Sequence, residues 1–182
     1  GQSPQPQGRI FGGQVLAQCL LAANATVEGP LLAHSMHAYF LRGGDPTTPI
    51  EFEVDPIRDG RSFATRRVVA RQKGAAIFNT SISYQVTEDG FTHSQSMPKV
   101  PFPEEVDDSL KGFTYPSFSD MYQIDRVRIT QRSSQPQEKQ HNWFKVRGDL
   151  VSDARIHQAG LALISDCALL GTSFDPQGLE DW

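Results

Sequence analysis

Asp59-Gly60 and Lys73-Gly74 cut residues 50–86 into three extended runs, "IEFEVDPIR", "RSFATRRVVARQ" and "AAIFNTSISYQV". Short Gly-containing turns return such runs as antiparallel neighbours, and this constrains the fold more than any other stretch. A fourth run, "LLAHSMHAYFLR", precedes them. It is rich in aromatics, alternates His34, Met36, Ala38 and Phe40 against Ser35, His37, Tyr39 and Leu41, and closes on the turn sequence "GGDPTTP". Ahead of all four, Val15, Leu16, Cys19, Leu20 and Ala23 recur at the spacing of a helix packed on one side, and the pattern ends between Asn24 and Gly29. One helix followed by an antiparallel meander predicts an α+β unit in which a curved sheet wraps around a single buried helix.

The rest of the chain repeats part of this pattern. Residues 97–118 carry a cluster of prolines and acids and no sustained period, which reads as a linker. Beyond it, "YQIDRVRIT" and "NWFKVRGDL" read as strands on either side of the polar loop "QRSSQPQEKQ". "DARIHQAGLALISDCALLGTS" then predicts a second helix, with Asp153 near its start and Gly171 at its stop. The recurrence is a weak internal duplication: a first unit at 1–96, a linker at 97–118, and a second unit begun at 119–182 that stops where its meander is due.

Composition excludes several classes of function. With 38% hydrophobic and 21% charged residues, the 182-residue chain holds enough apolar material for a core and too many charges for a membrane span. It reads as a soluble globular protein. A net charge of -4 leaves no broad basic surface for nucleic acid. The two cysteines, Cys19 and Cys167, both fall in apolar helical runs, so they read as small core residues of a protein in a reducing compartment, the cytoplasm. "GQSPQPQGRI" has neither the charged region nor the apolar region of a signal peptide, and the absence of an initial Met suggests a processed, engineered or incomplete product. G-x-S-x-G, the P-loop and G-x-G-x-x-G are all missing, which disfavours an α/β-hydrolase, a nucleotide triphosphatase and a dehydrogenase.

Four features carry potential chemistry. Gly12-Gly13 opens the first helix, where Ser, Thr or Asp caps better. The pair serves either a tight turn required by packing or the close approach of a ligand to the helix N-terminus; packing takes precedence, because Gly pairs are common punctuation. Asp166 lies among Leu163, Ile164, Cys167 and Leu170, an acid within an apolar helix. On the residues alone it reads first as a solvated acid and second as a group that orients a water. His34 and His37, three apart on a strand, point to opposite faces and so share no metal ion. His34 reads as a buried structural histidine or as an accessory polar group beside a site. Arg58, Arg61, Arg66, Arg67 and Arg71 surround the Asp59-Gly60 hairpin, either as a solvated charged face or, with Arg58 and Arg61 nearest the turn, as phosphate ligands.

"GRIFGGQVLAQCLLAA", "HSMHAYFLRGGDPTTPI", "IRDGRSFATRRVVARQKGAAIF", "SYQV" and "RIHQAGLALISDCALL" together resemble the acyl-CoA thioesterase II family, whose members are double hotdogs. The resemblance covers most of the chain in order. It implies hydrolysis of acyl-CoA to fatty acid and CoA without a cofactor or metal, in a homo-oligomer of the cytoplasm, or of the peroxisome for a eukaryotic source. It reverses the order of the two readings of Asp166, because the Asp of this motif acts in the family with a Thr or Ser and a Gln from later strands of the second hotdog. Those strands, like the family's N-terminal helix and first strand, have no counterpart in these letters, and Thr172 and Ser173 follow the helix too closely to be the hydroxyl. Under the resemblance the catalytic candidates are Asp166 and His34, and the substrate-binding candidates are Gly12, Gly13, Arg58 and Arg61. A hotdog hydratase needs an Asp-His pair that the spacing does not supply. The competing reading from another class is an inactive acyl-CoA-binding or protein-interaction hotdog domain.

Overall fold

The computed structural model describes residues 8–106, 122–129, 141–167 and 169. The first helix, α1 (Gly12–Asn24), is followed by β1 (Leu32–Phe40), β2 (Glu51–Asp59), β3 (Phe63–Gln72) and β4 (Ala75–Gln85). Val15, Cys19, Leu20 and Ala23 of α1 meet Ala64, Val68 and Ala70 of β3 and Ile77, Phe78, Ile82 and Tyr84 of β4 in one core. These are the predicted helical stripe, with Leu16 partly buried against the same core, and, apart from the neighbours Ile77 and Phe78, alternate positions of the predicted strands. Cys19 is fully buried, and burial pushes its thiol up to about 12, so it is an inert core residue. Among the described residues no helix is long and apolar enough to cross a membrane.

The sheet is antiparallel throughout, in the order β1-β4-β3-β2. Only β2, β3 and β4 therefore form the expected meander; β1 pairs with β4, and residues 41–50 carry the chain across to the far edge. That connection is too long for a hairpin, and it is pinned from below. The buried Gln72 side chain accepts from Asp45 N and donates to the carbonyls of Asp45 and Thr48. Asp45 in turn accepts from Thr47 and Thr48, which holds its carboxyl down at about 2. The β3–β4 turn places Lys73 at φ 49° and Gly74 at φ 78°, the left-handed pair that a tight hairpin needs and that Gly adopts without strain. Pro56 is tolerated because β2 is an edge strand with an irregular register between Asp55 and Arg58.

Arg66 is 2% exposed, which the alternation of β3 explains only in part. Its guanidinium satisfies the backbone where α1 ends: it donates to Thr26 Oγ1 and to the carbonyls of Thr26, Arg58 and Thr65, and pairs with Asp59, which is 67% exposed. Removing the cation leaves part-buried carbonyls without a donor, whereas removing the exposed acid leaves the guanidinium with four other acceptors. Arg66→Met is thus expected to destabilise by about 2 kcal/mol and Asp59→Asn by roughly half a kcal/mol, measured by urea unfolding.

The chain divides into two units: residues 1–90 with 149–166, and residues 91–148 with 167–182. In the second, β5 (Ile124–Ile129) and β6 (His141–Val146) pair antiparallel, as the strand patterns predict. Within the segment expected as a linker, Phe102 stacks on Trp143, whose Nε1 donates to the Pro101 carbonyl at 3.0 Å. The polar loop "QRSSQPQEKQ" and residues 107–118 of the linker lie outside the described residues.

Helix α2 (Ala154–Ser165) belongs to the first unit, although it follows β6 in sequence. Asp153 caps it, accepting from Arg155 N at 2.9 Å. The expected continuation to Gly171 does not hold: α2 stops at Ser165, and Asp166 is its C-cap at φ -91° and ψ 3°. Gly171, Thr172 and Ser173 are outside the described residues. The two helices run antiparallel and close each other's ends. Arg155, at the start of α2, donates to the carbonyls of Asn24, Gly29 and Leu31, beside the negative end of the α1 dipole. Gln158 adds a bond to the Ala33 carbonyl.

Candidate active site

Phe11, the N-cap residue of α1, has no side chain able to cap, and the helix starts on two glycines. The cap comes instead from 153 residues away: Gly13 N–H donates to Asp166 Oδ2 at 3.1 Å. Such an approach is open only to glycine. A Cβ on Gly13 would collide with the Leu163 carbonyl oxygen of α2, and one on Gly12 would lie 2.6 Å from Asp166 Oδ2 and 2.8 Å from Cε1 and Cζ of Phe40. Close packing of α2 therefore explains Gly13, and the convergence of a carboxylate and an aromatic edge explains Gly12.

Two opposing effects act on Asp166. Burial raises its carboxyl above the ordinary aspartate range, and the Gly13 N–H, aided by the helix dipole, lowers it by less. The net result is a carboxylate more basic than usual, held by one oxygen. No described residue donates to Oδ1, and the Gly12 N–H has no partner among them. A carboxylate oxygen and a helix N-terminal N–H, both without a partner among the described residues, thus lie together with an apolar ring, a set able to orient a water and to stabilise an oxyanion.

The structure moves His34 away from this group. The expectation placed it on the inward face with Met36 and Phe40, but the β1–β4 register shifts between Ala33 and Ser35, which makes His34 the extra residue of a bulge. One inserted residue inverts the alternation, so His34 is exposed on the outer face, where Nε2 is 2.8 Å from Ser83 Oγ. His37, opposite Ser81, faces the same way, which corrects the expectation that the two histidines point to opposite faces. Among the described residues no three His, Cys, Asp or Glu side chains gather as a metal site.

The arginine cluster separates into two groups. Arg66 is buried, Arg67 pairs with Asp55 and Arg71 with Glu53. Arg58 and Arg61 are exposed, and their side chains have no partner among the described residues. Their hairpin is tied through Arg66 to Thr26, at the C-terminal end of α1. A 13-residue helix is roughly 20 Å long, so one ligand reaches both the arginines and Asp166 only if it is extended.

Residues 2–85 match the family described as the acyl-CoA thioesterase N-terminal domain. The chain is 35% identical to acyl-coenzyme A thioesterase 8 of Rattus norvegicus over 92% of its length and 59% of that protein. It is also 35% identical to acyl-CoA thioesterase 2 of Haemophilus influenzae, over 92% of this chain and 64% of that one. The solved acyl-CoA thioesterase II TesB2 of Mycobacterium marinum superposes with a TM-score of 0.75 at 35% identity, over 91% of this chain and 62% of that one. Residues 2–85 of this chain thus belong to the acyl-CoA thioesterase N-terminal domain family.

Its sheet and α1 form the hotdog fold of that family, and it spans about three fifths of the length of the relatives it matches. The amino-acid sequence did not single out Phe40 as a site residue. The signal was present: alternation puts Phe40 on the same face as Met36 and Ala38, at the end of "HSMHAYF", next to the glycine-rich loop. That the ring leans over Gly12 depends on how β1 crosses α1, which alternation does not encode.

Proposed function

We propose that this chain hydrolyses acyl-CoA thioesters to free fatty acid and CoA, with Asp166 holding and polarising the attacking water. The observation that carries this reading is the Asp166 carboxylate, made basic by burial, anchored through Oδ2 on Gly13 N–H and with no donor to Oδ1 among the described residues. The water oxygen adds to the thioester carbonyl carbon while its proton passes to the carboxylate. The carbonyl electrons move onto oxygen, where the Gly12 N–H and the helix dipole suit the developing charge. Collapse of this intermediate breaks the C–S bond, and the thiolate of CoA takes up the proton. No enzyme nucleophile is required, since an oriented water suffices for so electrophilic a carbonyl.

The named relatives, all acyl-CoA thioesterases, support this substrate class. The family resemblance adds a hydroxyl and a Gln, from later strands of the second hotdog, as partners of the Asp. The same reading takes residues 1–96 as the first hotdog and 119–182 as part of the second, in a cytoplasmic or peroxisomal homo-oligomer. Release of free thiol from palmitoyl-CoA, followed for the chain and for Asp166→Ala, tests the proposal. Turnover lost in the variant supports it, and equal turnover removes Asp166 from the mechanism. Binding without turnover in the unaltered chain selects the other reading, an acyl-CoA-binding or interaction domain.

Arg58 and Arg61 are proposed as contacts for the CoA phosphates, since they are the two cluster arginines whose side chains have no partner among the described residues. Both are exposed and screened by salt, so replacing the pair by Ala is expected to raise KM for acyl-CoA roughly fivefold at low ionic strength, with little change in kcat. The difference should fade in high salt. A KM unchanged at low salt assigns them to the solvated face of the hairpin.

A further inference from the structure

Two aromatic rings close on the glycine pair, and they differ in one respect. Phe11 is 5% exposed, whereas Phe40 is 54% exposed although it occupies an inward position of β1. Phe40 is nevertheless well held. Its ring lies edge-on to Phe78, at 5.0 Å between centroids, and Phe78 is 1% exposed. Directly after it, Leu41 N and Arg42 N both donate to the Ile77 carbonyl, which fixes the backbone that carries the ring. One side of Phe40 is thus anchored and the other is open, with its edge beside Asp166 Oδ2 above Gly12.

We infer that Phe40 determines specificity at the acyl carbons next to the thioester carbonyl, by limiting the space beside the Asp166 carboxylate to groups unbranched at those positions. This rests on the thioesterase reading above. A water held by Asp166 must lie about 3–3.5 Å from the carbonyl carbon it attacks, and the α carbon is one bond further. The first acyl carbons therefore come within reach of whatever flanks the carboxylate, which includes the Cε1–Cζ edge of the Phe40 ring. The far end of a long acyl chain lies many bonds away and does not meet it. A straight chain presents only methylenes to the ring, whereas an α-methyl group needs the volume that the ring fills.

The experiment compares the full chain with Phe40→Leu and Phe40→Ala, using octanoyl-CoA, hexadecanoyl-CoA and 2-methyloctanoyl-CoA. Phe40→Ala is expected to raise the ratio of kcat/KM for 2-methyloctanoyl-CoA to that for octanoyl-CoA about tenfold, the scale of discrimination for one methyl group in an apolar pocket. Phe40→Leu should fall between, and the hexadecanoyl to octanoyl ratio should stay within about twofold. A uniform fall on all three substrates makes Phe40 a packing residue and overturns the inference. So does a change in the chain-length ratio alone. Binding of the unhydrolysable thioethers S-octyl-CoA and S-(2-methyloctyl)-CoA, measured by calorimetry, separates the two levels of the argument. Binding without turnover sinks the thioesterase reading, while the ratio of the two dissociation constants across the variants still decides Phe40. A chain that neither turns over nor binds overturns both.

Discussion

Asp166→Asn is expected to lower kcat for acyl-CoA hydrolysis by about 10²- to 10⁴-fold, the usual worth of a positioned general base, without loss of thermal stability at neutral pH. Asn keeps an oxygen that accepts from Gly13 N–H, so the cap on α1 survives, but it cannot take a proton from water. The stability half follows from the direction of the titration. Burial raises the folded carboxyl above its unfolded value, so its contribution to stability is fully present below the unfolded pKa and is lost as pH rises through the folded pKa. Above the folded pKa the ionised Asp is the less stable form, and a neutral Asn relieves that cost. The same shift puts the acid limb of the rate profile above the ordinary aspartate range. Steady-state rates from pH 4 to 8, with melting curves for both proteins, check this. An Asn variant within twofold of the parent rate, or one that melts well below it, refutes this account.

Gly13→Ala and Gly12→Ala are expected to separate stability from activity. At Gly13 the added carbon meets a backbone carbonyl of α2, which no rotation of a side chain relieves. The helices must move apart, at a cost of about 3 kcal/mol, and the melting temperature should fall by roughly 6–12 °C. At Gly12 the atoms nearest the added carbon are the ends of two side chains, Asp166 and Phe40, rather than backbone. The fold should lose little, but those two groups are the ones proposed to hold the water and to border the acyl carbons. Calorimetry should rank Gly13→Ala as the more damaged fold, and the thiol-release assay should show a specific activity for folded Gly12→Ala reduced on the order of tenfold. The reverse ranking by calorimetry refutes the account of helix contact.

The strands, the first helix and the family were legible because they rest on local signals. Alternation from Phe63 to Gln85, the turn residues at 59–60 and 73–74, and the stripe from Val15 to Ala23 each follow from backbone and side-chain geometry within a few residues. Asp153 as a cap was legible for the same reason. The position of His34 was not, because one extra residue between Ala33 and Ser35 inverts which face it occupies, and the bulge leaves no mark in the alternation itself. The end of α2 was missed because "ISDCALL" continues an apolar helical pattern beyond Ser165, where the backbone of Asp166 leaves the helix to face α1.

The arginines show the same division. Five in one stretch left open a solvated charged face or phosphate contact through Arg58 and Arg61; the fold buried one at the end of α1, paired two across strands, and left Arg58 and Arg61 without a side-chain partner among the described residues. What the amino-acid sequence determined by itself was an antiparallel sheet over a helix, and the residue types able to do chemistry. Only the tertiary structure decided which of them meet. Contact between Gly13 and Asp166 joins positions 153 residues apart, through the close approach of two helices that no local pattern records.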